Sequence, residues 1–563
     1  MKKFGKTLSL ILCFALLFSV AFTLISCKKA DSAETDELVV YNWADYIYDY
    51  KDDFQKYYRE LTGKNINITY VTFDTNETML TRVMKGDSNV DVICPSEYAI
   101  QKLMESDMLL PMNYFDETEY TRDIESTDYI HNGDNVDVNV RNKIAEGFGE
   151  ISINGETVSM LDYMVPYMYG TLGILYNKYA FKKMGIYDVD KLNKANWGIL
   201  FNDDGDGNIL SEELTGSILM KDSIRDSYAA TVFYLLERGK LDGLTYRDEN
   251  SASYGKLYTE MSAGELINAV DEQLISLCRE TLTAQKSQLF GYEVDFGKDD
   301  LLQGNALVDL AWSGDAMYAV EESWSDYLCP VCADETGVKQ GTEEDDEIVC
   351  SVCGGECGDY ELSYYMPNNE GNIWFDGWVI PKTCNPDHLE SIKIFINFLN
   401  SPYVAAENML EIGYSSAVSP EAVRYDSQAR SVLAEAYNVN DDSWDCEGTA
   451  KFDYDSWEEF ADEYFAYADE IDGSNWRYPF ETESGDGEYN RSLSTLGVMR
   501  DFGANNKQVV TMWNYARSAG VTALPLLLWT LLAVAVIAGT VVLWEFIKLR
   551  KNSVVIIKNR NDE

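Results

Sequence analysis

Residues 38–96 read LVVYNWADYIYDYKDDFQKYYRELTGKNINITYVTFDTNETMLTRVMKGDSNVDVICPS, and this stretch decides the fold. Leu38 to Trp43 is a strand that ends in a polar loop, and Tyr50 to Thr62 reads as a helix closed by Gly63. Ile66 to Val71 alternates as a second strand, Asn76 to Met84 follows as a helix, and Val90 to Cys94 is a short buried strand stopped at Pro95-Ser96. Strands joined by helices must run parallel. This is therefore an α/β layer, whose ligands sit beyond the carboxyl ends of its strands. The alternation resumes from Val165 to about Val320, and Asp387 to Leu399 is a further helix. Three stretches read as insertions: Asn202 to Glu213, Cys329 to Cys357, and an acidic segment from about Asn440 to Glu488. No internal repeat is present.

The chain has 563 residues, enough for two to four domains. Its 45 Lys and Arg face 95 Asp and Glu, a formal net charge of −50. Such a surface repels nucleic-acid phosphate and attracts cations, so nucleic acid is excluded as a partner. The only histidines are His131 and His388. Neither sits in a recognisable motif, which argues against a Ser–His–Asp triad or a multi-His metal centre. With 38 Tyr, 22 Phe and 12 Trp, the composition suits the binding of organic cations better than catalysis.

Both ends read as anchors. Residues 1–26 combine Lys2, Lys3 and Lys6 with an apolar run ending at Ser26, a signal peptide whose cleavage leaves Cys27 for lipidation. An uncleaved membrane helix is the competing reading. Cleavage removes three Lys and no acid, leaving a formal charge of −53. At the other end, residues 523–544 are apolar over about 33 Å and are followed by Lys548, Arg550 and Lys551. The expectation is a transmembrane helix with a cytoplasmic tail over 545–563, and an acidic body outside the cell.

Seven motifs, in order, carry a resemblance: YNWADY (41–46), TFDTNETML (72–80), DVICPSEY (91–98), VPYMYGTLGILYN (165–177), GSILMKDSIRD (216–226), LAWSGDA (310–316) and NIWFDGWVIP (372–381), with MRDFG (499–503) beyond them. Together they resemble the spermidine/putrescine-binding proteins of bacterial ABC importers. The resemblance implies a two-lobed α/β fold of the periplasmic-binding-protein type II class, with a ligand cleft between the lobes. It places the first part of lobe one at 37–176, lobe two at 177–374, a return to lobe one at 375–425, and further lobe-two chain at 426–518. It also implies no enzyme activity, no cofactor needed for ligand binding, and the permease subunits of an ABC transporter as partners.

A polyamine alternates ammonium groups with methylenes, so its cleft must supply carboxylates for the charges and aromatic faces for the stems. By resemblance, Trp43, Tyr46, Tyr98, Trp312 and Trp374 are the aromatic walls. Asp226 and Asp376 are the amine-pairing carboxylates, and Ser96 is a hydroxyl that bonds an amine. Two family positions differ: an acid is replaced by Ser223, and an amide by Met499. Glu97 and Asp315 are extra acids beside the motif positions. A tethered sensor or adaptor on the same fold is the alternative to an import component, and an extracellular zinc hydrolase is a weaker third reading.

Two motifs are additional. Asn202, Asp204, Asp206, Asn208 and Glu213 stand at the ligand positions of an EF-hand calcium loop, with Gly207 at its sharp turn; a solvated acidic loop is the alternative. Cys329, Cys332, Cys350 and Cys353 have zinc-ribbon spacing, with disulfides, Cys357 included, as the competitor in an exported chain. Structural Zn2+ and Ca2+ are thus expected as possible occupants. Cys94 and Cys278 read as buried apolar thiols.

Overall fold

A computed structural model describes residues 34–86, 89–325, 337–340, 347–350, 362–367, 371–437, 439, 456–465, 472–473 and 495–519. The opening alternation forms β1 (Thr35–Trp43), α1 (Lys51–Thr62), β2 (Asn65–Phe73), α2 (Asn76–Met84), β3 (Val92–Ile93) and α3 (Glu97–Glu105). Gly63 ends α1 in the left-handed region at φ +73°, where a side chain would be strained. Thr75 caps α2 by accepting the Thr78 amide, which starts the helix where the sequence turns apolar every third or fourth residue.

Five further strands and three helices build the rest of the central layer. They are β4 (Met164–Asn177), β5 (Ile218–Lys221), α4 (Ile224–Glu237), α5 (Glu272–Gln285), β6 (Leu289–Glu293), β7 (Val308–Trp312), α6 (Ser313–Ser325) and β8 (Gly371–Pro381). The main path of the sheet runs β2-β1-β3-β8-β4-β7-β5-β6. The outer pairs are parallel, β2 with β1 and β1 with β3 on one side, β7 with β5 and β5 with β6 on the other. β4 in the middle is antiparallel to both β8 and β7.

Two cores flank this layout. The first gathers Leu38, Val40, Phe54, Met79, Ile93, Met164, Phe375 and Phe395; the second gathers Leu172, Ile174, Trp197, Met220, Tyr228, Leu274, Leu310 and Trp513. All fourteen residues of β4 are buried, because it passes from the first core into the second. α7 (Leu389–Leu399) covers the first core after a short 3-10 turn at Pro386–His388, so the helix starts two residues later than the sequence suggests. Next come α8 (Pro402–Ile412), α9 (Ser427–Ala436) and α10 (Trp457–Tyr464). These pack together as a third apolar cluster around Met409, Leu433 and Phe460. The chain rejoins the second core through Met499 and Phe502, ahead of α11 (Asn506–Ser518).

The expected C-terminal transmembrane helix is corrected here. Among the described residues no helix is long and apolar enough to cross a membrane. The longest, α4 and α5, have 14 residues each, about 21 Å of rise against the roughly 30 Å of a bilayer core. The expected span at 523–544 and the tail at 545–563 lie outside the described residues, as do residues 1–26 and Cys27. The described fold is a two-cored α/β body.

Candidate ligand-binding site

β4 underlies a candidate hollow where the two cores meet. Its antiparallel ladder pairs Gly170 with Trp374 and Met168 with Asp376 on β8, and Leu172 with Trp312 on β7. Alternate residues of a strand share a face, so Asp376, Trp374 and Trp312 stand together on one side of the sheet. Gly170 is what lets them meet. A Cβ there would lie 2.6 Å from Cζ2 of Trp374 and 2.5 Å from Oγ of Ser313.

Aromatic residues wall the hollow. Tyr414, just before the short strand Ser415–Ser416 that pairs with β4, has its ring 5.4 Å from Trp374 and 5.2 Å from Tyr46. Tyr98 and Trp312 pack against both cores, which places them at the junction. Trp43 stands apart, with its indole on Phe73 at 4.5 Å and its Nε1 without a hydrogen-bond partner among the described residues.

Asn76, on the first turn of α2, ties the first-core side together. Its Nδ2 donates to Ser96 Oγ and to Tyr98 Oη, both at 3.0 Å, while its Oδ1 accepts the Ser96 amide at 3.3 Å. Ser96 in turn bridges to Asp376 across the sheet edge. On the second-core side, Trp312 Nε1 donates to Asp226 Oδ1 at 3.3 Å. The ring of Trp312 also lies 4.4 Å from the Lys221 ammonium. Ser223 caps α4 by accepting the Asp226 amide, which fixes the first turn that carries Arg225 and Asp226.

Burial governs the electrostatics. Asp376 is 5 % exposed, its Oδ1 has no hydrogen-bond partner among the described residues, and burial pushes its carboxyl up to about 7, with Asp226 adding to the rise and the Ser96 and Tyr46 hydroxyls opposing it. Burial likewise raises Asp226 above the usual carboxylate range, against the pull of Ser223, Trp312, Lys221 and Arg225. Glu97 is fully enclosed, and burial drives it to about 8 even though its Oε2 accepts the Phe375 amide at 3.0 Å. Asp315 is engaged by Lys298 at 3.1 Å. A hollow with unpartnered buried carboxylate oxygen and flat rings offers a site for a cation with an apolar stem. Two cavities of about 680 and 510 Å³ open elsewhere, around Phe115, Arg141 and Tyr425 on the first lobe.

Comparison with known proteins fits this architecture. Residues 49–431 match the family described as bacterial extracellular solute-binding protein. The chain belongs to that family. It is therefore a solute-binding protein rather than an enzyme, and its family is an extracellular one. The chain is 25% identical over 407 residues to the putrescine-binding periplasmic protein SpuD of Pseudomonas aeruginosa, covering 72% of this chain and 83% of that one. It is 21% identical over 410 residues to a putrescine/agmatine-binding protein of the same species, covering 71% and 83%. Among solved structures it is similar to the Tp0655 (TpPotD) lipoprotein of Treponema pallidum, with TM-score 0.49, 16% identity, and coverage of 86% of this chain and 99% of that one.

Of the eight residues expected to line the solute site, Tyr46, Ser96, Tyr98, Asp226, Trp312, Trp374 and Asp376 are linked by the contacts above, and Trp43 packs on Phe73. Sequence reasoning passed over Asn76 and Arg225, although both lie inside quoted motifs. Their signal was a polar residue opening a helix beside a motif aromatic or acid. Tyr414 carried no such signal, because only the pairing of Ser415 and Ser416 with β4 brings it to Trp374.

The extra motifs fare differently. The 202–213 loop turns at Gly207 (φ +87°), and its expected ligand residues make local hydrogen bonds and ion pairs. Asn202 is buried, with Nδ2 donating to Ser211 O at 2.8 Å and Oδ1 accepting the Ser211 amide. Asp204 accepts the amides of Asp206 and Asn208, Asp206 pairs with Lys194, and Glu213 accepts from the Ser211 hydroxyl. Among the described residues no group of three His, Cys, Asp or Glu could hold a metal ion. Cys329, Cys332, Cys353 and Cys357 lie outside the described residues; of Cys350 only the backbone is described, in a hairpin of Gly337–Gln340 with Glu347–Cys350. Cys94 and Cys278 are free and buried.

Proposed function

We propose that this solute-binding protein captures polyamines in the hollow between its lobes and hands them to the permease of an ABC importer, held at the outer face of the membrane by a lipid on Cys27. The observation that carries this reading is Asp376: a buried carboxylate with an unpartnered oxygen, on the same sheet face as Trp374 and Trp312 and beside Ser96. An ammonium there gains a charged partner out of water, and its methylene stem lies along indole faces worth about 0.5–2 kcal/mol each. A sugar would leave Asp376 and Asp226 uncompensated, and an amino acid would bring a carboxylate of its own into an acidic hollow. The relatives named for putrescine binding support the same class of ligand.

Calorimetric titration of the full-length chain with putrescine, spermidine, an amino acid and a sugar tests this. Saturable binding of the amines is expected. Binding of only the sugar or the amino acid, or of nothing, overturns the proposal.

A further inference from the structure

One short stretch of chain is stitched into both cores. In residues 496–502, Leu496 and Val498 enter the first core, and Met499 and Phe502 enter the second. Leu496 and Gly497 pair in parallel with Gly371 and Asn372 at the start of β8. Gly497 also lies so close to the second-core helix Ala263–Ile267 that a Cβ there would come within 2.5 Å of the Gly264 nitrogen. Asn268, at the end of that helix, fixes the stretch from the same side. Its Nδ2 donates to Val498 O at 2.8 Å, and its Oδ1 accepts the Arg500 amide at 2.7 Å. From the first-core side, Arg500 Nε donates at 2.8 Å to Gly147 O, on the helix Val138–Phe148.

Two consecutive residues of this strap hold the two helices whose first turns carry site residues. Asp501 grips α3. Its Oδ2 pairs with the Lys102 ammonium at 3.0 Å, and its backbone amide donates to Gln101 Oε1 at 3.1 Å. Gln101 and Lys102 follow Tyr98 by three and four positions, so all three share one face of α3, the helix that Ser96 opens. Phe502 grips α4. Its ring centroid lies 3.8 Å from the Arg225 guanidinium and 5.4 Å from the Tyr228 ring. Arg225 is 5.8 Å from the Tyr98 ring, which is where the two helices approach each other. Asp226, the next residue of α4, accepts from Trp312.

We propose that Asp501 and Phe502 are positioning residues for solute binding, setting the spacing of α3 and α4 without contacting the solute. The inference rests on the hollow being the solute site and adds what fixes its width. Residues adjacent in the chain cannot separate, because a trans peptide holds their Cα atoms about 3.8 Å apart. Holding α3 by one and α4 by the next therefore ties Ser96 and Tyr98 to Asp226 and Trp312 at one spacing. Without the Lys102–Asp501 pair the two helix turns take up several spacings, only a fraction of which admits the solute. The apparent affinity then falls by that fraction.

The test compares the full-length chain with Asp501→Asn, Lys102→Gln, their double variant and Phe502→Leu. Putrescine and spermidine calorimetry reads affinity, and amide hydrogen exchange reads the solute-free chain. Each single variant should weaken amine binding roughly three- to tenfold. The double variant should lose no more than the larger single loss, because both substitutions remove one pair. Asp501→Asn should raise exchange roughly threefold over residues 96–103 and 223–228 together, and leave α5 unchanged. Unaltered affinity in the folded single variants overturns the inference, as do losses that add in the double variant. Faster exchange spread over the whole molecule, α5 included, shows general destabilisation and also overturns it. Failure of the unmodified chain to bind either amine overturns the polyamine reading instead; exchange then decides alone, and a change in neither helix turn ends the positioning role. If Phe502→Leu does not fold, the Lys102 and Asp501 variants decide the matter.

Discussion

Asp376→Asn should make the unliganded protein more stable and the binding protein worse. Asp376 is held at about 7 against an ordinary 3.8, with burial as the main cause. A rise of about three units, at 1.36 kcal/mol per unit, puts an upper bound of about 4 kcal/mol on what ionising this group takes from the fold at pH 8. Water penetration and local relaxation reduce the realised value, so a gain of roughly 1–4 kcal/mol is expected for the variant. The sign follows from the direction of the shift. The folded-state value lies above the unfolded one, so the stability tied to the protonated carboxyl is complete below about pH 4 and is lost as pH rises through about 7. Asparagine does not ionise and keeps that stability throughout. The gap between variant and parent should therefore open above about pH 4, widen up to about pH 7 and level off by pH 8. In the same variant a bound ammonium loses its buried partner, which lowers affinity by about 2–5 kcal/mol, or roughly 30- to 4,000-fold. Urea unfolding followed by tryptophan fluorescence at pH 5, 6, 7 and 8, with putrescine calorimetry at pH 7.5, reads both effects. A variant no more stable than the parent at pH 8, or a gap that does not change with pH, refutes the assignment of Asp376 as a buried ionisable carboxylate.

Three other substitutions probe the supports of the hollow. Gly170→Ala forces a methyl against Trp374 and Ser313, so it should destabilise the protein by about 1–3 kcal/mol and weaken amine binding at least tenfold; unchanged calorimetry would show that Trp374 is not a wall. Glu97→Gln should leave unfolding at pH 7 within about 1 kcal/mol of the parent, because Glu97 is already largely protonated there, whereas Glu97→Ala strands the Phe375 amide and should lose about 1–3 kcal/mol. Equal losses in both, measured in urea, would contradict that. Asn76→Ala removes the donor to Ser96 and Tyr98 and should weaken putrescine binding severalfold in a titration; an unaltered affinity would free Tyr98 from the site.

How much of this was legible depended on whether a feature was local. The helix Asn76 to Met84 was readable to the residue because its cap and its apolar period lie within nine positions. Val90 to Cys94 shortened to Val92–Ile93 because pairing, not propensity, decides how much of a segment counts as strand, and β3 meets β8 through a single pair, Val379 with Ile93. The motif aromatics and acids were legible as a set through resemblance, but their roles were not. Nothing in the sequence shows that Glu97 turns away to hold a backbone amide while Asp376, 279 residues on, keeps an oxygen unpartnered. The EF-hand spacing was clear, yet the loop satisfies its carboxylates on its own amides and on Lys194, which lies eight residues before the loop begins.

The position of the site along β4 explains which of its parts are permanent. Trp374, Asp376 and Trp312 are all held by hydrogen-bonded ladders to one strand that runs through both cores, so their spacing is set by the sheet. Ser96, Tyr98 and Asn76 belong to the elements of the first core, and Arg225 and Asp226 to a helix of the second. Burial raises the cost of ionising both Asp226 and Asp376, so without a cation like charge accumulates there in a low dielectric, and with one its charge pairs are completed. The formal charge of the whole chain adds little to this choice, since exposed charges are screened beyond about 8 Å at physiological salt. The discrimination lies in the few carboxylates that the fold buries.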